Sequence, residues 1–153
     1  MKAYRILAHL IAAEVVIQSA AITFAVFGLD KWVDGGGVLD KASLESDDLS
    51  FTGVVGFSIH AINGMMVMPF LALILLILSF FVKSLPGGVQ WAAALFGLVI
   101  LQVALGLFAH DVVWLGPLHG INAFALFMVA LQAGRRVTPP APVSEPRLAS
   151  GVS

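Results

Sequence analysis

Cysteine is missing altogether, and charge nearly so. With no cysteine among 153 residues, disulfides, thiolate metal sites and cysteine nucleophiles are excluded together. Charged side chains make up 11% of the chain and hydrophobic ones 59%, whereas soluble domains carry about a quarter of their residues charged. The mean hydropathy is +0.99, and an exterior this apolar is stable only against lipid. Also missing are a phosphate-binding loop, a nucleophile elbow and a basic stripe, so soluble hydrolase and nucleic-acid-binding readings have no footing.

What remains is length and apolar runs. Crossing about 30 Å of hydrocarbon takes roughly 20 mainly apolar residues. Four stretches qualify, at residues 6–29, 51–82, 89–109 and 115–133. The breaks are an acidic outer loop at 30–50 containing Gly35-Gly36-Gly37, the turn signal Lys83-Ser84-Leu85-Pro86-Gly87-Gly88, and a short break marked by His110-Asp111 and Gly116-Pro117. The first run is too long for a signal-peptide core, and Phe27-Gly28-Leu29 is a poor cleavage site, so it reads as an uncleaved span. Lys2, Arg5, Lys83, Arg135 and Arg136 gather on one side. The other side holds Asp30, Asp34, Asp40, Glu45, Asp47, Asp48 and Asp111 against Lys31 and Lys41. The positive-inside rule then puts both termini in the cytoplasm. The expected fold is an all-α, four-transmembrane-helix bundle over residues 1–136 in a bacterial-type inner (plasma) membrane. Residues 137–153, rich in Pro, Ser and Ala, read as a disordered cytoplasmic tail.

The two halves echo each other. His60-Ala61-Ile62-Asn63 opens the second span and His119-Gly120-Ile121-Asn122 opens the fourth, both in an H-x-I-N frame. Phe27-Gly28-Leu29-Asp30 rhymes weakly with Phe108-Ala109-His110-Asp111, and under that alignment Gln18 and Gln102 fall about one turn apart. The pattern predicts two related helical hairpins.

An ionisable residue within a span is costly, and by default it is a functional hypothesis facing the bundle interior. In a bundle with short loops the second and fourth helices are diagonal. His60 and His119 can therefore clamp a flat macrocycle from both faces, as in bis-histidine ligation of haem b. Asn63 and Asn122, one turn on, are positioned to orient a ligand. Gly64 and Gly120 spare bulk beside the histidines, and Met65, Met66 and Met68 supply adaptable packing. Counting rise along the helices brings His110 nearer to His60 in depth than His119, so a His60–His110 pair is the alternative. His9 reads as interfacial. Glu14 reads either as a protonated carboxyl bridging helices or as part of a proton or cation relay, with Gln18 at i+4 within bonding reach.

These two openings, with their helices, resemble one four-helix half of the haem A synthase family, and small stand-alone bacterial four-span membrane proteins without assigned activity. The resemblance covers residues 6–136 and implies that His60 and His119 face a haem. The chain departs from the full synthase: it has one bundle and no outer-loop cysteine pair, and Glu45 carries no matching motif. The resemblance therefore implies haem binding, with electron transfer or membership of a redox complex, and no enzyme activity of the chain alone. Membrane lipids and a larger redox complex or a second copy are the expected partners. Two other readings compete. One is a non-catalytic subunit packing through Gly97, Ala104 and Gly106. The other is a copper or cation handler using His and Met.

Overall fold

The structure, a computed structural model, describes residues 1–45, 49–82 and 86–136, apart from the side chains of Leu44 and Glu45. It is all-helical, with no strand among the described residues. The elements are α1 (Lys2–Asp34), α2 (Lys41–Glu45), α3 (Val55–Ile62), a π-helical turn (Asn63–Val67), α4 (Met68–Ser79), α5 (Gly88–Phe108) and α6 (Leu115–Arg135). The second long helix, Val55–Ser79, is α3, the π turn and α4 in series. With α1, α5 and α6 it makes four helices long and apolar enough to cross a membrane, which suggests a multi-pass membrane protein.

Helix ends differ from the expected spans for a simple reason. Charge marks where a helix leaves the hydrocarbon, but its hydrogen-bond ladder continues into water. Thus α1 takes in Lys2 and Arg5 at one end and Asp30, Lys31 and Asp34 at the other. In residues 30–50 the acidic segment also forms the short α2. Asp40 caps it: the Ser43 N–H donates to Asp40 Oδ1 at 2.8 Å and the Asp40 N–H donates to Ser43 Oγ at 2.9 Å, a reciprocal capping arrangement. The bond from the Ser43 backbone holds the exposed Asp40 carboxyl below its ordinary range. The expected tail at 137–153, and Lys83, Asp47 and Asp48, lie outside the described residues.

The long helices form a ring. Helix α1 packs against α3, α4 and α6, while α5 packs against α4 and α6, which leaves the second long helix and α6 diagonal. The apolar core fills the half of the bundle nearer Lys2 and Arg135, which we call the basic end. It contains Ala8, Ile11, Ala12, Ala72, Leu75, Ala92, Leu95, Leu126 and Ala130. The many alanines let the backbones approach closely, which is how helices gain contact where lipid offers no hydrophobic driving force. Tyr4, buried in this core, donates its hydroxyl to Gly88 O at 3.0 Å and ties the start of α1 to the start of α5. Large apolar side chains such as Ile17, Phe24, Phe70, Phe108 and Phe124 point outward, the inverse of a soluble bundle.

The π turn was not legible in the sequence, and it has two physical sources. Pro69 lies two residues beyond its end, and a proline ring within a helix clashes with the carbonyl four residues earlier; a wide turn relieves that clash. The second source is the Gln18 side chain, inserted from α1.

Candidate functional site

Above the apolar core, toward the acidic end, the interior turns polar. Gln18 on α1, Gln102 on α5 and Asn122 on α6 form a layer across the bundle, and the two histidines sit at it. Gln18 and Asn122 are buried, so their amides must find partners inside.

The Gln18 amide, oriented so that both its ends are satisfied, donates to His60 O at 3.0 Å and accepts from the Gly64 N–H at 2.6 Å. It sits where an α-helix would join His60 O directly to Gly64 N, and so props the π turn open. The same amide nitrogen lies 2.7 Å from His60 Nδ1, while the Gln18 backbone oxygen lies 3.2 Å from that ring nitrogen. These two contacts require opposite tautomers: Nδ1 accepts from the amide or donates to the carbonyl. The shorter contact favours acceptance, with the proton on Nε2.

His119 is held unambiguously. Its Nδ1 lies 3.0 Å from Gln102 O, which can only accept, so Nδ1 carries the proton. Its Nε2 then accepts from the Gln102 side-chain amide at 3.0 Å. The Gln102 Oε1 accepts from Asn122 Nδ2 at 2.7 Å, and Asn122 also donates to Leu98 O at 3.0 Å. Gly106 completes the seat, since a Cβ there would lie 3.1 Å from His119 Cε1 and 3.2 Å from Nδ1.

The pattern recurs between the hairpins. Each histidine meets, through Nδ1, the backbone oxygen of a glutamine on the preceding long helix. Each asparagine meets the residue one turn earlier on that helix: Asn63 donates to Glu14 Oε2 at 3.2 Å, and Asn122 to Leu98 O. In this register Gln18 corresponds directly to Gln102, with no offset of one turn.

The rings of His60 and His119 approach edge to face, their centroids 6.1 Å apart and their planes at 62°. A cavity of about 470 Å³ fronts them, lined from all four long helices by His60, Gly64, Met65, Gln102, Gly106 and His119 among others, within the usual range for ligand sites. His110 lines the same cavity but is exposed, in the turn that follows α5. The depth difference counted along the sequence shrinks because the second long helix ends at Ser79 and its wide turn shortens the rise.

Other residues fall differently. Gly120 meets nothing within 4 Å of its would-be Cβ, so it makes no room for the histidines, and Gly97 is equally open. Gly106, expected to pack against partner helices, faces His119. Met65 lines the cavity, Met68 is buried in the core and Met66 points outward. Glu14 pairs with Asn63 on the neighbouring helix, while Gln18 reaches across to His60 and Gly64. Among the described residues, no group of three or more His, Cys, Asp or Glu could hold a metal ion.

No protein-family profile, no curated protein and no solved structure matches the chain.

Proposed function

We propose that the chain is a multi-pass membrane protein that binds haem b between His60 and His119 and passes electrons, alone or within a larger membrane redox complex. The observation that carries this reading is the approach of two imidazoles from diagonal helices, 6.1 Å apart, beside an apolar cavity of about 470 Å³. His60 and His119 would each offer one imidazole nitrogen to the haem iron. The charge asymmetry supports a cytoplasmic basic end and cytoplasmic termini in the bacterial-type inner membrane of this reading, and the recurring Gln–His–Asn pattern supports two related hairpins.

The donor set fits the group. His119 already has the tautomer a metal ligand needs, with Nδ1–H donating to a backbone carbonyl, which fixes the ring and raises its basicity. Gln102 must release Nε2, and His60 must adopt the tautomer in which Nδ1–H donates to Gln18 O. Release by Gln102 gives up a hydrogen bond worth about 1 kcal/mol, whereas the His60 change exchanges the Gln18 amide for the Gln18 backbone oxygen. Gly106 leaves space for His119, and Met65 offers a polarisable wall. Haem, when bound, supplies one-electron redox chemistry.

The test is a reduced-minus-oxidised spectrum of the protein purified after expression with ample haem. A b-type spectrum is expected, lost in His60→Ala and in His119→Ala. A colourless wild-type protein would sink the reading.

A further inference from the structure

A second pocket lies at the opposite, basic end. A groove of about 520 Å³ runs between the start of α1 and the end of α6, lined by Arg5, Ile6, His9, Leu10, Gly134 and Arg135. Two guanidinium groups and an imidazole thus border one opening, and no acidic side chain lines it among the described residues. Arg136, next along, holds its guanidinium 4.8 Å from the centre of the Trp91 ring, and Arg135 has a partner of its own, which leaves Arg5 as the principal cation of the groove. The groove is built for close approach: a Cβ at position 134 would fall 2.8 Å from both Cε1 and Nε2 of His9, so only glycine lets the imidazole lie against α6. Ile6 and Leu10, one turn apart, are 57% and 46% exposed and continue the groove along the apolar outside of α1.

We propose that this groove binds the phosphodiester headgroup of an anionic phospholipid, with an acyl chain along Ile6 and Leu10. Guanidinium pairs with phosphate oxygens through two parallel N–H donors, His9 adds a third donor, and the apolar flank matches a tail. Basic pockets between transmembrane helices suit such headgroups. A free inorganic phosphate shares the headgroup chemistry but leaves the apolar flank unused. The proposal rests on the membrane-inserted reading and is independent of haem.

Native mass spectrometry of the full chain, released from detergent micelles holding phosphatidylglycerol or phosphatidylcholine, tests it. Each basic residue near an anionic lipid surface contributes about fivefold, so a preference for phosphatidylglycerol of about fivefold is expected from Arg5. Arg5→Gln should abolish it, with helix content unchanged by circular dichroism. Equal retention of both lipids, or an unchanged preference in Arg5→Gln, overturns the proposal. Complete displacement of the lipid by millimolar inorganic phosphate overturns the lipid assignment too. A colourless protein that still selects phosphatidylglycerol counts against haem and upholds this site.

Discussion

Asn122→Leu probes the polar layer with little change in volume. The wild-type side chain donates to Leu98 O at 3.0 Å and to Gln102 Oε1 at 2.7 Å. Interhelical hydrogen bonds in membranes are worth about 0.6 kcal/mol on average and about 1.7 kcal/mol at most, because the unfolded helices also find partners. Two lost bonds therefore cost about 1.2 kcal/mol. The Gln102 oxygen left behind raises the total toward about 2 kcal/mol, since an orphaned buried acceptor bears its own desolvation cost. The assay is unfolding by SDS titration in mixed micelles, followed by circular dichroism. A double-mutant cycle with Gln102→Leu isolates the side-chain pair, and its coupling should fall between about 0.6 and 1.7 kcal/mol. A loss below about 0.3 kcal/mol, or additivity within about 0.3 kcal/mol, would refute the hydrogen-bonded layer.

Gly106→Val should displace His119 and abolish haem uptake while leaving most helix content, as read by haem absorbance against circular dichroism; overpacking costs about 1–3 kcal/mol. Glu14→Gln keeps an acceptor for Asn63 and should change stability by less than about 0.5 kcal/mol. Glu14→Leu removes the acceptor and should cost about 0.6–1.7 kcal/mol in the same SDS titration. The folded-state Asp40 carboxyl titrates below its ordinary range, so the α2 cap persists above that range and is lost as pH falls through the depressed value. The Ser43 amide resonance in an NMR titration should therefore move with a midpoint below that of an unstructured Asp. A midpoint at or above the ordinary value would remove the cap from the account.

The four long helices were legible because lipid demands continuous apolar length, and because Gly and Pro clusters with charge punctuate the runs. His60 and His119 stood out through a repeated H-x-I-N frame, and the structure brings their rings together. The glutamine roles were not legible. Gln18 and Glu14 share a helix face at i, i+4, which suggests a bond between them. Gln18 instead serves two backbone groups of the second long helix, a partnership created only when the π turn opens. The π turn itself leaves little trace beyond Pro69, since its other cause lies on a different helix. Gly106 carried a signal that could be read two ways: a small residue in a span serves a partner helix or a bulky neighbour inside. Only packing decides between them, and here the neighbour is His119. The fit of Gly134 to His9 was hidden for the same reason, the two lying at opposite ends of the described chain.

The most direct measurement of the central claim is low-temperature electron paramagnetic resonance of the ferric haem-loaded protein. Two imidazole ligands predict a low-spin signal in the wild type and in His110→Ala, and conversion to high spin in His60→Ala and His119→Ala. A high-spin wild type, or a low-spin signal that survives loss of His119 but not of His110, would contradict ligation by His60 and His119.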